Sequence, residues 1–416
     1  MSTNEVDYFG GHNIENHLAD KCRLVKLGNI CEIIAGQSPP SETYRNYPEG
    51  LPFFQGKADF GEKYPVPRTW CVAPIKIALP GDILISVRAP VGPTNIADQK
   101  CCIGRGLASI RPKEDTDRDF ILAFLKYYEE KLSARGSGSV FGAIRISDLE
   151  SIMVPQPPIN QQRRIASSLS KKMEAIALAG AATGAQLSAA KALPAAYLRE
   201  VFEGSEANGW AKKQLGDVGE IVSGVTLGRV LRNSSTARKV PYLRVANVKD
   251  GYLDLSDINF IEASEEEIKK LNLKYGDILL TEGGDPDKLG RGTFWRDQIS
   301  ECIHQNHIFR VRFDLKRFSP EFISYQIGSS YGKKYFLDHA KQTTGIATIN
   351  QKVLRKFALM SPSLTEQKRI VDYLDEMMAC SDKTLNALED QMKYIEQLPA
   401  KILQKAFNGE LLNGST

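Results

Sequence analysis

IRISDLESIMVPQPPINQQRRIASSLS, residues 144–170, returns in register as INQKVLRKFALMSPSLTEQKRIVDYLD, residues 349–375. Pro157, Gln162, Arg164, Ile165 and Leu169 stand opposite Pro362, Gln367, Arg369, Ile370 and Leu374, and the register holds without a gap through Gly204 and Gly409. Farther along it, the LPA at Leu193 answers the LPA at Leu398. On the N-terminal side, LGNICEIIAG from Leu27 recurs as LGDVGEIVSG from Leu215, and GDILIS from Gly81 as GDILLT from Gly276. Segments repeated in one order, at a period of about 200 residues, mark an internal duplication. Each copy reads as a strand-rich module followed by one helix.

The helical parts follow from composition and spacing. From about Asn160 to Phe202, and again from Thr365 to Phe407, the chain is rich in good helix formers, and PQPPI closes the strand-rich segment before the first. A helix of roughly 40 residues is about 60 Å long. In the second copy Ile370, Leu374, Met377, Leu385, Leu388, Met392, Ile395, Leu398 and Ile402 step by threes and fours, with a polar gap at Ser381. Such a seam needs a cover, and the first copy offers Ile165, Leu169, Ile176, Leu187, Leu193 and Tyr197. The small residues Ala179, Ala182 and Ala190 are expected to let the two backbones approach. Pro194 and Pro399 lie inside these helices and are expected to bend or break them.

The fold class expected is therefore α+β: two tandem mixed α/β modules alternating with two long helices that pair as an antiparallel coiled coil, related by a pseudo-twofold internal repeat. The boundaries expected are a polar leader at 1–22, modules at 23–157 and 209–362, and helical regions at 158–208 and 363–416. Two heads on paired stalks suit a duplex, which has local twofold symmetry, read at two short sequences separated by untouched bases. Lengthening a helix should then change the spacer and leave the half-sites alone.

Composition narrows the class without deciding it. The 416 residues carry 54 basic and 50 acidic groups, so attraction to phosphate must come from local clustering, not from the net charge of +4. Seven cysteines with no CxxC pair suit reduced thiols in a cytoplasm. The N-terminus lacks a basic start and an apolar run, and the Ala-rich stretch from Ala175 to Ala196 is interrupted by Gln186, Lys191 and Pro194, so neither export nor a membrane span is expected.

Polar and basic side chains beside glycines in loops are the candidates for DNA contact, because such loops approach phosphates closely and reach base edges. In the first module these are Gln55, Lys57, Arg88 and Arg105; in the second, Arg244, Asn247, Asp285, Arg291, Gln305, Asn306 and His307, with Lys341 and Thr343 as phosphate contacts. His304 and His307 have no ligand-type partner at metal spacing, so no metal is expected.

Enzyme motifs are missing. SPP at Ser38 lacks the preceding amide or acid and the following aromatic residue of a base-methylating motif. GSSYGK from Gly328 has the wrong spacing for a phosphate loop, and GSGSVFG from Gly136 is one residue too long for a dinucleotide fingerprint.

From about Arg23 to Leu411 the chain resembles the specificity subunits of Type I restriction–modification systems. The resemblance rests on LPFFQGKADFG from Leu51, GDILISVRAPVGPTN from Gly81, SVFGAIRISDLESIMVPQPPINQQRRI from Ser139 and LPAAYLREVFEG from Leu193. The second half carries YLRVANVKDGYLDL from Tyr242, GDILLTEGGDPDKLGRGTFW from Gly276, HQNHIFRVR from His304 and TTGIATINQKVLRKFALMSPSLTEQKRI from Thr343. It implies that the modules are target recognition domains for double-stranded DNA and that the paired helices dock two methyltransferase subunits, with restriction subunits attached indirectly. It further implies that S-adenosylmethionine and the chemistry belong to those partners, with no cofactor on this chain. The competing reading is a coiled-coil scaffold that binds only proteins.

Overall fold

The computed structural model describes residues 22–137, 142–229, 237–284, 289–343 and 346–408, without the side chains of 136, 137, 342, 343 and 346. The chain divides into two compact units, Met1–Gly184 with Asp390–Thr416, and Ala185–Glu389.

The first unit is built on a four-stranded antiparallel sheet in the order Cys31–Ala35, Leu107–Pro112, Ile83–Ser86, Thr94–Ile96. GDILIS is an uninterrupted apolar run because its strand has a core on both faces. Successive side chains point oppositely, so Ile83 and Ile85 join one buried cluster with Phe120 and Phe124, while Leu84 joins another with Phe54, Ile103 and Leu107. The preceding Gly-Asp pair has its own reasons. Gly81 adopts φ +90°, a region costly for residues with a Cβ. Buried Asp82 accepts from Leu79 N at 2.8 Å, Ser109 Oγ at 2.7 Å, and Arg111 Nε and Nη2 at 2.9 and 2.8 Å. A buried carboxylate so fully satisfied avoids the large penalty of an unpaired charge.

The second unit repeats this plan. Its sheet runs Gly219–Ser223, Ile308–Phe313, Ile278–Thr281, Gly292–Phe294. Ile278 and Leu280 enter a cluster with Phe309, Phe318 and Phe336, and Leu279 enters another with Leu243 and Trp295. Gly276 has φ +87°, and fully buried Asp277 accepts from Lys274 N at 2.8 Å and from Arg312 Nε and Nη2 at 2.7 and 2.6 Å.

The long helices span Ile159–Glu203 and Leu364–Phe407. Each carries a buried glutamine in its first turn. Gln162 donates to Pro157 O and Asp115 O and accepts from Asp117 N; Gln367 donates to Pro362 O and Arg317 O and accepts from Ser319 N. Asp117 and Ser319 each cap a head helix by accepting from Phe120 N and Phe322 N, so one amide ties each long helix to its head. The repeated glutamine of the sequence is therefore a joint.

In the first unit Ile165, Ala166 and Leu169 from the start of one long helix share a core with Ala406 and Phe407 from the end of the other. Gln391 Nε2 donates to Thr183 Oγ1 at 3.3 Å there, and a methyl group at Gly180 would touch Ile395 Cγ2 at 3.7 Å. In the second unit Phe202, Tyr197 and Leu198 pack in one cluster with Ile370, Val371 and Leu374. Every seam residue named from the sequence is buried or half-buried: Ile165, Leu169, Ile176, Leu187, Leu193, Ile370, Leu374, Leu388, Met392, Ile395 and Leu398.

Two details differ from expectation. Ala190 is buried as expected, but Ala179 and Ala182 are exposed, and half-buried Gly180 and buried Thr183, each one residue on, take the close positions instead. Neither Pro194 nor Pro399 interrupts its helix. Pro194 has no N–H for the carbonyl of Ala190, and buried Ser381 donates its hydroxyl to that carbonyl at 3.5 Å. The polar gap in the seam thus serves the proline opposite it. Ser381→Val is expected to leave that buried carbonyl unsatisfied and to cost about 1–2 kcal/mol in urea unfolding; a stability equal to that of the unaltered chain would contradict this role.

Candidate nucleic-acid interface

In the first head, all four side chains named from the sequence line one cleft of about 420 Å³: Gln55, Lys57, Arg88 and Arg105, with Ser38, Gly56, Ala58, Ser86, Ala89, Pro90 and Gly106. Among the described residues three cations and no carboxylate line it. Lys57, Arg88 and Arg105 are exposed, and among the described residues none has an ion-pair or side-chain hydrogen-bond partner. Such a surface attracts a polyanion and holds donors ready for phosphate or base acceptors.

The backbone under these side chains is fixed. The strand Leu51–Phe54 pairs in parallel with Cys101–Ile103 and ends at Gln55, whose N–H donates to Asp59 Oδ2 at 2.6 Å. Arg105 sits in the turn from Gly104 to Leu107, closed by Leu107 N donating to Gly104 O at 2.9 Å, and its own N–H donates to Ser38 Oγ at 3.3 Å. A Cβ at Gly106 would lie 2.2 Å from the carbonyl oxygen of Gln55, so the turn presses against the strand end and only glycine fits. Sequence reasoning does not find Asp59 or Ser38. Asp59 carries a signal nonetheless, an acid a few residues beyond a strand end where it accepts turn N–H groups.

In the second head several expectations are corrected. Asn247 is buried: Oδ1 accepts from Arg244 N at 2.8 Å, and Nδ2 donates to Asp254 O and Asp257 O at 2.8 and 3.0 Å. It holds the turn after the strand Arg238–Leu243, as Asp59 does in the first head, and is not available to a base. Arg244 donates through Nη2 to Asp257 Oδ2 at 2.5 Å and to Asp257 O at 3.2 Å, so its charge is already met. Exposed His307 shares a 2.7 Å contact with Glu282, a carboxylate that would repel phosphate at that point. Gln305 accepts at Oε1 from Val245 N at 3.4 Å, and its Nε2 has no partner among the described residues. Half-buried Asn306 and Arg291 have no side-chain partner among the described residues. Lys341 is exposed in the strand Lys341–Thr343, the side chain of Thr343 is not described, and Asp285 lies outside the described residues.

His304 is fully buried, with Nδ1 donating to Ile308 O at 3.0 Å and Nε2 unpartnered among the described residues. Burial, and secondarily the cation of Arg310, lowers its pKa from 6.5 to about 4. A base held neutral in the folded state contributes stability that is complete above about pH 6.5 and is lost as pH falls toward 4, for a total of about 3 kcal/mol. Urea unfolding between pH 7.5 and 4.5 should show this slope and His304→Gln should flatten it; equal slopes for both chains would contradict the assignment.

A family model described as the Type I restriction modification DNA specificity domain matches the chain twice, over residues 20–183 and 207–394. The chain belongs to that family. It is a specificity subunit of a Type I restriction–modification system, and not an enzyme. The EcoKI specificity subunit of Escherichia coli K12 is 25% identical over 93% of this chain and 89% of its own length. A chain named as the MjaX specificity subunit of Methanocaldococcus jannaschii is 51% identical over 149 residues, 35% of each chain, so this specificity subunit spans about a third of that relative in the match. The crystal structure of the HsdS subunit from Thermoanaerobacter tengcongensis is 47% identical over 40% of this chain and 43% of that one, with a TM-score of 0.36. Among the described residues no helix of this specificity subunit is long and apolar enough to cross a membrane.

Proposed function

We propose that this specificity subunit reads a bipartite duplex target, one half-site per head, from recognition domains at 23–157 and 209–362. Its long helices, in the regions 158–208 and 363–416, pair as an antiparallel coiled coil, give the chain a pseudo-twofold repeat, and dock two methyltransferase subunits in the cytoplasm. Those partners carry S-adenosylmethionine and, indirectly, the restriction subunits; this chain binds no cofactor. Support comes from the sheet order repeated in each unit, from the paired Gln162 and Gln367 joints, and from helix starts packed beside helix ends within each unit.

The observation that carries the DNA-reading role is the cleft that, among the described residues, holds three unpaired cations and no carboxylate. The test is anisotropy of a labelled duplex titrated with the full chain at several salt concentrations. Log affinity should fall linearly with log salt, by about 0.9 per phosphate contacted. A protein-only scaffold predicts no duplex binding at any salt.

A further inference from the structure

We propose that one turn, present in both heads, sets a different base in each half-site: Arg105 reads a guanine and Asn306 reads an adenine. The inference rests on the proposed DNA-reading role and assigns the chemistry of its two sites.

The turns share three backbone hydrogen bonds and differ at the tip N–H, which donates to Ser38 Oγ from Arg105 and to Val225 O from Asn306. In the first head Leu107 N donates to Gly104 O at 2.9 Å, Gly104 N to Phe54 O at 2.8 Å, and Val87 N to Gly106 O at 3.0 Å. In the second Ile308 N donates to Gln305 O, Gln305 N to Leu243 O, and Glu282 N to His307 O, each at 2.9 Å. Arg105 and Asn306 therefore occupy the same place, and neither side chain has a partner among the described residues. Register carries the comparison further. Arg88 bridges Ala143 as Gly283 pairs with Thr348, so the second head has no side chain where the first has a guanidinium.

The surroundings differ in the same sense as the turn tips. Arg105 shares its cleft with Lys57 and Arg88 and offers donors only. Asn306 stands beside the His307–Glu282 pair, in the head where Arg244 is met by Asp257, and offers one donor group and one acceptor. In the major groove guanine presents two acceptors, which a guanidinium matches, and adenine presents a donor with an acceptor, which a carboxamide matches. A phosphate contact needs no fixed geometry, whereas the turn of Arg105 is pressed rigidly against Gln55.

The test is selection of a randomised duplex library by the full chain, followed by sequencing, for the unaltered protein, Arg105→Asn and Asn306→Arg. Arg105→Asn should convert one guanine column of one half-site to adenine, and Asn306→Arg one adenine column of the other to guanine, each by roughly 10- to 100-fold in preference. Variants that select the unaltered motif, only more weakly, would overturn the assignment in favour of phosphate contacts. Independently of any variant, 7-deazaguanine placed at each guanine of the selected site should weaken binding roughly tenfold at one position, and 7-deazaadenine likewise in the other half-site; unchanged affinity at every position overturns the proposal. Failure of the unaltered chain to select any motif would instead sink the DNA-reading role itself.

Discussion

Joint replacement of Lys57, Arg88 and Arg105 by alanine is expected to lower duplex affinity roughly 10²–10³-fold at moderate salt. The three side chains supply the charge that lines the cleft of the first head, and they are exposed and unpaired among the described residues. Removing them deletes attraction to phosphate and donors to base edges together, at about 1–3 kcal/mol for a good base contact and less for each exposed phosphate contact. The salt slope should also fall by about 0.9 for each phosphate that the variant no longer neutralises. Because none of the three side chains has a hydrogen-bond or ion-pair partner among the described residues, thermal stability should hold nearly constant. Affinity and slope unchanged in a folded triple variant would show that DNA does not lie in this cleft.

Ile395→Asp is expected to destabilise the first unit by about 3–5 kcal/mol and to prevent assembly with a methyltransferase partner. Ile395 is buried near Gly180, one helix turn from the hydrogen bond of Gln391 to Thr183, so a carboxylate there would be desolvated. Leu388→Asp should act in the same direction more weakly, because Leu388 is only half-buried. Co-purification with the methyltransferase on a sizing column reads the outcome. A complex of normal size and yield from Ile395→Asp would mean that the helix seam does not organise the assembly.

Periodicity made the helices and their seam legible. Leu374 or Ile395 can be placed from spacing alone, because a 3.6-residue repeat has one buried face whatever lies against it. The duplication was legible for a similar reason: Gln162 and Gln367, or Gly81 and Gly276, fill identical backbone roles that few residues satisfy. In the first head Lys57 and Arg105 stand beside glycines in the sequence, and the structure places them in one cleft with no ion-pair partner among the described residues. The second head misled where the same residue types serve the backbone. Asn247 and Arg244 look like base readers in sequence, yet their partners, Asp254 and Asp257, lie 7 and 13 residues on, beyond any local pattern. The continuity of the helix at Pro194 was illegible too, since the hydroxyl that meets the freed carbonyl comes from Ser381, 191 residues away.

The most direct measurement is methylation-sensitive sequencing of a host genome carrying this chain with its methyltransferase partner. Two recognition heads with different turn tips predict a bipartite methylated motif, with unlike half-sites separated by a stretch of unspecified bases. A continuous motif, or two copies of one half-site, would contradict the claim that each head reads its own sequence.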